Sequence, residues 1–381
     1  MARVVERSGV TDPTLAPAAE ITVSPVTDFA ALGTKWRDLE TRVNPSFFQS
    51  WTWTGCLAEE RFTAPVLVEA REDGRTVALA LFNRRGGSWY LGESGDPALD
   101  GVYIEFNGVL TETGREHDLT IACLRAARGG SEGARKRRLI LGGVSGPIVV
   151  SAGETGYVLC NRSLAAPFVD LTDRSQDFLD SRSANTRQQL RRSNRAYAAI
   201  GRVTIDRADS LDRAYEYLDG LANLHQAAWT ARGRPGAFAK PYFGRFHRAL
   251  IASGFERGEI DLLRIAAGPQ TIGFLYNFCF RGASLAYQSG FDYAGSGKHR
   301  TPGLTCHYEA IRLAASRGAV RYDFLAGDDR YKRSLANRAE TLHWIEVADR
   351  RSPRVLVRRA WDFVAGGRRR ASGFPVIPAI V

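Results

Sequence analysis

The sequence predicts an α/β protein of the α+β kind, with mixed, mostly antiparallel sheets flanked by helices and built as two similar units. Three observations carry this expectation. At 381 residues the chain is longer than one hydrophobic core usually serves. Its second half alternates strand-like and helix-like patterning in a definite order, and its first half repeats that order faintly. An apolar share of 44% with a charged share of 24% excludes a disordered or fibrous chain.

In the second half, Asp261–Ile265, Thr271–Phe280 and Ser284–Phe291 are rich in aromatic and β-branched residues. Gly268-Pro269 and Arg281-Gly282 punctuate them, so they read as a three-stranded antiparallel meander. After Pro302-Gly303 the period changes: Leu304, Tyr308, Ile311 and Ala315 fall on one helical face, and Gly318 stops the helix. Val320–Leu325 reads as a short strand, Asp328–Leu335 as a short helix and Thr341–Val347 as a last strand. Upstream, Ala184–Ala199, Leu211–Ala231 and Pro241–Gly254 read as helices, with a strand near Arg202–Asp206. In the first half, Val66–Ala70, Thr76–Asn83, Trp89–Gly92 and Arg138–Leu141 read as strands and Asp118–Arg128 as a helix. The expected organisation is a flexible leader over 1–20, one unit over 21–167, a second and catalytic unit over 168–349, and a basic tail over 350–381, the boundary lying near Ala165–Asp173.

Composition narrows the function. Five dispersed cysteines without a CxxC pair argue against a disulfide framework and a cysteine-based zinc site. Six scattered histidines suggest no metal site. No apolar run approaches the length of a membrane span, and residues 1–20 lack a signal-peptide core. The net charge is +11, but eight arginines between Arg350 and Arg370 face only Asp362. Most of the excess is therefore in the tail, which argues against nucleic-acid binding by the globular part. Val357, Trp361 and Val364 share one face of that tail, so it reads either as an amphipathic segment lying on an anionic membrane or as a terminal helix packed on the sheet.

The segment richest in chemistry is Phe291–Lys332. Gly295, Gly297, Pro302 and Gly303, with Lys298 and Arg300 among them, connect a strand to a helix. Amides at a helix N-terminus are orphan donors with partial positive charge, so such a loop can hold phosphate; it is also a common strand–helix connection. The next strand leads into Tyr-Asp-Phe-Leu-Ala-Gly-Asp-Asp-Arg-Tyr-Lys at 322–332. Pro302-Gly303, Gly318, Asp323-Phe324-Leu325, Gly327 and Tyr331-Lys332, in this order and spacing, resemble the CelD-type acetyltransferase domain. That domain is a branch of the GNAT superfamily related to the FemAB aminoacyltransferases. The resemblance covers residues 170–348, and Phe48-Gln49-Ser50 followed by Trp51 or Trp53 resembles the family's N-terminal half.

The resemblance implies two tandem GNAT-like acyl-CoA N-acyltransferase units in a cytoplasmic bacterial enzyme. It would move an acyl group from an acyl-CoA or acyl-carrier-protein thioester to a small-molecule or lipid amine. No cofactor is bound permanently; the donor is a co-substrate. Lys298, Arg300, Thr301, Pro302, Gly303 and Leu304 would hold the donor's pyrophosphate. Arg300-Thr301-Pro302-Gly303 is poorer in glycine than the usual acetyl-CoA loop, which keeps a carrier-protein donor open. An alkyl amine is neutral in only about one molecule in 10³ at pH 7, so transfer needs a base, and the carbonyl oxygen needs donors as charge develops. Asp323, Asp328, Tyr331 and Lys332 are the candidate catalytic residues. Asp323 also reads as a salt-bridging residue, Asp328 as a helix cap, Tyr331 as packing and Lys332 as a surface lysine. His225, Trp229 and Arg232 end a long helix and are candidates for the acceptor pocket. Two alternatives stay open: a FemAB-like aminoacyl-tRNA-dependent transferase, and a non-catalytic GNAT-like scaffold in envelope or exopolysaccharide assembly. A membrane-lying tail would place the enzyme at the inner membrane face.

Overall fold

The protein is described by a computed structural model covering residues 19–129, 137–173, 178–295, 297, 299–327 and 329–366. The first half runs β1 (Glu20–Pro25), α1 (Phe29–Arg42), the single-turn helices α2 (Trp51–Thr54) and α3 (Ala58–Arg61), then β2 (Pro65–Glu72), β3 (Arg75–Arg85) and β4 (Ser88–Leu91). It continues through β5 (Leu110–Thr111), α4 (Glu116–Arg128), β6 (Arg138–Ser145), α5 (Gly146–Thr155) and β7 (Tyr157–Asp170). The second half opens with α6 (Ala184–Ala198) and runs β8 (Val203–Arg207), α7 (Leu211–Thr230), α8 (Pro241–Gly254), β9 (Ile260–Ala267), β10 (Gln270–Phe280) and β11 (Ala283–Phe291). Then come α9 (Pro302–Ser316), β12 (Arg321–Asp323), α10 (Arg330–Leu335), β13 (Arg338–Ala348) and α11 (Pro353–Gly366).

The order repeats. Strand, helices, three strands, helix, strand, helix, strand describes β1 to β7, apart from the two-residue β5, and equally β8 to β13. Within each half the fourth long strand pairs parallel to the strand after the helix: β4 to β6, and β11 to β12. The halves differ from expectation in one respect, because their sheets are not separate. The described strands form one sheet in the order β1-β2-β3-β4-β6-β13-β7-β12-β11-β10-β9-β8, with β5 added on β3. Each half donates its last strand across the middle. β13 lies between β6 and β7, and β7 lies between β13 and β12. The boundary expected at 167/168 thus falls inside β7. That strand was not foreseen from the sequence because Cys160, Asn161, Arg162 and Ser163 interrupt any apolar alternation and lie on an exposed stretch.

Each sheet half is covered on both faces, as a mixed sheet of this kind requires. Leu119, Cys123, Leu124 and Ala127 of α4 pack on β2, β3 and β6, while Leu32, Trp36 and Leu39 of α1 cover the opposite face. In the second half α6 and α9 cover one face. The other face carries α7 and α8, and here the halves interlock. Phe47, Phe48 and Trp53 of the first half pack among Phe246, Tyr276, Phe278 and Tyr287 of the second. Phe47 stacks on Phe278 with centroids 4.2 Å apart. Such a pair contributes about 0.5–1.5 kcal/mol beyond the area it buries. The Phe48-Gln49-Ser50 motif is local glue: the Gln49 side chain accepts from Ser46 N and donates to Val109 O, and Ser50 caps α2.

Two local departures matter for the site. The strand expected over Val320–Leu325 ends at Asp323, because the Asp323 carboxylate accepts the Leu325 amide at 2.7 Å and turns the chain into a left-handed residue at Leu325 (φ 60°). Among the described side chains of the tail, only Val355 is buried. Leu356, Val357 and Trp361 are exposed, so the expected packing of Val357 and Trp361 onto the sheet is not observed. The Val364 side chain, residues 367–381 of the tail and residues 1–18 of the leader lie outside the described residues. No described helix is long and apolar enough to cross a membrane.

Candidate functional site

Strands β11 and β12 pair only over Ala283–Leu285 and Arg321–Asp323. Beyond that point they part. Phe324 N bonds Pro167 O and Gly327 N bonds Ala165 O, following β7, while β11 continues on β10 to Phe291. The parted ends form a cleft whose far side is the N-terminus of α9.

On that side, Thr301 N donates to Ser193 Oγ at 3.0 Å and Thr305 N to Thr301 O, and Pro302 has no N–H. The amides of Gly303 and Leu304 find no acceptor among the described residues. They are the orphan donors of a fifteen-residue helix, with its partial positive charge behind them. The Arg300 guanidinium donates to Gly295 O at 2.9 Å and braces the loop. The side chains of Pro302 and Leu304 are buried, so these two residues offer backbone rather than side chain to a ligand. A Cβ on Gly303 would come 3.2 Å from the Phe291 ring, tighter than ordinary packing. Lys298 lies outside the described residues.

Across the cleft is the turn 324–332. Asp323 is buried, with one oxygen on Leu325 N and the other paired to Arg321 at 2.5 Å. Burial pushes its carboxyl up to about 6 against the pull of Arg321. Both oxygens are committed, so the catalytic role expected of Asp323 is not carried forward: it shapes the turn. Lys332 is also buried, not a surface lysine. Its Nζ donates to Ala326 O at 2.9 Å and to Leu325 O at 3.4 Å, and desolvation pulls its pKa down. Gly327, at φ 136°, lies against this amine; a Cβ there would sit 3.0 Å from Nζ. Tyr331 is half-buried and stacks on His307 at 4.9 Å, and burial raises its hydroxyl pKa. His307 is enclosed, hydrogen-bonded to the Tyr322 hydroxyl at 3.0 Å, and burial lowers it to about 3. Asp328 lies outside the described residues; Asp329 stands at the N-cap position of α10, with no side-chain cap hydrogen bond among the described residues.

The acid that meets this turn comes from the other half, and sequence reasoning missed it. Glu105, in the loop between β4 and β5, is buried and accepts Ala326 N at 2.6 Å. Burial lifts its carboxyl to about 7, opposed by that amide and by Lys332. Glu93, in the same loop, is lifted to about 8 by desolvation and by Asp100. The Arg162 guanidinium of β7 lies over the Trp344 ring, 4.0 Å from its centroid, and its charge acts on both acids. The one signal in the sequence was an acid set between Ile104 and Phe106, an apolar setting for a carboxylate.

His225 is fully used: Nε2 accepts Ala237 N at 3.3 Å, so Nδ1 carries the proton and donates to Ser289 O at 3.1 Å. Trp229 packs on it, and Arg232 lies over both Trp229 and Tyr293. These three therefore stand beside the end of β11 and the loop that leads to α9. Among the described residues no His, Cys, Asp and Glu are grouped to hold a metal ion.

The halves form a two-unit α/β fold in which the parallel strands β11 and β12 part beside a helix N-terminus whose first amides have no acceptor among the described residues. Residues 184–333 match the family model described as the acetyltransferase (GNAT) domain. FemX superposes with a TM-score of 0.57 at 11% identity, over 86% of this chain and 97% of its own. The C-terminal domain of a candidate lysylphosphatidylglycerol synthetase of Agrobacterium fabrum gives 0.53 at 14% identity, over 89% of this chain and 97% of its own. L-PGS of Bacillus licheniformis gives 0.53 at 11% identity, over 88% and 97%. At such identities the likeness is one of fold. No curated protein sequence matches the chain.

Proposed function

We propose that the chain is an acyltransferase that moves an acyl group from a thioester donor to an amine, with the second half holding the donor and both halves forming the reaction centre. The observation that carries this is the cleft itself: free amides at Gly303 and Leu304 on one side, and Glu105 and Lys332 meeting at the turn 325–327 on the other. The amides of α9 would hold the donor's pyrophosphate. Glu105, poised near neutrality, would take a proton from the acceptor ammonium, freeing the lone pair that attacks the thioester carbon. As the C–N bond forms, negative charge gathers on the carbonyl oxygen. The C–S bond then breaks, and the second proton shed by the nitrogen passes through solvent to the departing thiolate. Lys332 spends two N–H groups on carbonyls, fixing the turn and leaving its third for the developing oxyanion.

Among GNAT-type branches, the CelD-type pattern of Pro302-Gly303 through Tyr331-Lys332 supports an acyl-CoA or acyl-carrier-protein donor. The structural likeness to FemX and to L-PGS favours a second reading, in which an aminoacyl ester is the donor and a lipid or envelope precursor the acceptor. The test is thiol release from acetyl-CoA and longer acyl-CoA species with a panel of amines, beside calorimetric titration with free CoA. Saturable CoA binding and amine-dependent thiol release support the first reading. Neither of these, together with transfer from an aminoacyl-tRNA, establishes the second.

A further inference from the structure

Where the two halves interlock, five polar side chains are buried with polar atoms that have no partner among the described residues. Trp53, His247 and Tyr276 are wholly enclosed, and Arg61 and Tyr242 nearly so, at 2% and 6% exposure. Trp53 Nε1, Arg61 Nε and Nη2, both ring nitrogens of His247, and the hydroxyls of Tyr242 and Tyr276 have no hydrogen-bond partner among the described residues. They are contiguous. Phe246 touches Trp53, Tyr242 and His247 at 5.2–5.9 Å between ring centroids, His247 lies 5.4 Å from Tyr276, and the Arg61 guanidinium lies over Phe246 at 5.5 Å.

Unpaired buried polar groups are rare in folded proteins, and an unpaired buried guanidinium is rarer still, since each costs its full desolvation. Here the inventory is also lopsided. Arginine and indole nitrogens only donate, each tyrosine hydroxyl carries one proton to give, and a neutral imidazole adds another N–H. Arg61 acts on the Glu93 carboxyl, which desolvation first and Asp100 next lift to about 8, and among the described residues no acid lies within ion-pair distance of the guanidinium. The surrounding backbone is held in unusual conformations at Leu57, Tyr103 and Phe106, each at φ between 46° and 52°. Strain of this kind gathers at binding sites. The same 92–107 loop brings Glu105 to the turn of the reaction centre and takes the Tyr287 hydroxyl on Val102 O.

We infer that Trp53, Arg61, Tyr242, His247 and Tyr276 form the binding site for an oxyanion, a carboxylate or phosphate, carried by the amine acceptor. The inference deepens the acyl-transfer reading by naming the acceptor's chemistry: an amine that also bears an acidic group, with the aromatic walls enclosing what joins them. The acid seats on Arg61 and the amine is directed along the 92–107 loop toward Glu105.

The test reads binding rather than turnover, so its failure is distinct from failure of acyl transfer. The full chain is titrated calorimetrically with inorganic phosphate and with acetate, then with phosphoethanolamine against ethanolamine and glycine against methylamine. Saturable binding of the acidic member of a pair, tenfold or more above its uncharged partner, is expected, and the pair that shows it identifies phosphate or carboxylate. Arg61→Met should lose that binding by about tenfold or more while its Tm stays level or rises, because an unbalanced buried cation is removed. Tyr276→Phe, which deletes one oxygen from the same wall, should weaken binding with an unaltered fold and keeps the test decisive if Arg61→Met does not fold. Equal affinity for acidic and neutral amines, or oxyanion binding untouched by both variants, would overturn the inference. So would an Arg61→Met protein that loses several degrees of Tm while wild type binds no oxyanion, since Arg61 would then serve the fold alone.

Discussion

Glu105 carries the sharpest expectations of any single residue. Its carboxyl titrates near 7 in the folded protein, above the ordinary 4.5. The folded chain therefore holds that proton more tightly than the unfolded chain, and the stability it contributes is complete below about pH 4.5 and lost as pH rises toward 7. Glu93 extends the same loss toward about 8. Thermal denaturation across about pH 5 to 8 should show falling Tm, and Glu105→Gln should flatten the lower part of that slope. The rate behaves oppositely, since only the carboxylate accepts a proton. Thiol release should climb with an apparent pKa near 7 in wild type, and Glu105→Gln should lower kcat by about 10²-fold or more and abolish that limb. Lys332 is legible in sequence as part of a motif, but its burial is not. Asp323 is conspicuous in sequence for its place in Asp-Phe-Leu, yet its lone pairs belong to Arg321 and Leu325. Glu105 carried only its apolar setting as a signal, because its role depends on a contact with Ala326, 221 residues away in sequence.

Among the elements, helix α9 was read correctly from proline, glycine and a four-three-four apolar spacing, since helix ends are local chemistry. Gly303→Val places a branched side chain against Phe291 and across the two open amides, so the Kd for CoA should rise by about tenfold or more. Unchanged affinity in a folded variant moves the donor site elsewhere. The meander β9–β11 was equally legible, being marked by tight turns. Strand β7 was not, because its polar centre is explained only by the neighbours it meets. Helix α11 gives a separate prediction. Leu356, Val357 and Trp361 stand exposed, with Arg358 over the Trp361 ring. An arginine-rich helix with an uncovered aromatic face suits an anionic membrane surface, each cation contributing about 1 kcal/mol there. Full-length protein should co-sediment with phosphatidylglycerol vesicles at low salt, and a chain truncated after Arg350 should not. Equal binding by both would remove the membrane role.

At the scale of the molecule, the repeat of element order was visible in sequence, but the exchange of strands was not, since pairing between β7 and β13 joins segments that no local pattern links. That exchange makes the halves interdependent. β13 pairs with β7 along eleven residues and with β6 on its other edge. Urea unfolding followed by tryptophan fluorescence and by far-ultraviolet circular dichroism should therefore give coincident single transitions, with an m value scaled to the whole chain. Two separated transitions would show the halves to be thermodynamically independent.

The exchanged strand also sets a timetable for synthesis. About 190 residues of chain lie between the end of β6 and the start of β13, and translation at roughly 5–20 residues per second spans that distance in about 10–40 seconds. Throughout that interval the nascent first half presents β6 as an open edge, bearing Leu139, Leu141 and Val144, all wholly buried in the finished protein. An open apolar edge is a template for another chain. On crowded polysomes, its neighbour is a second copy at the same stage, offering the same edge. Yield in the cell should accordingly be governed by how long that edge waits, and slower elongation after β6 should send more of the product into aggregates.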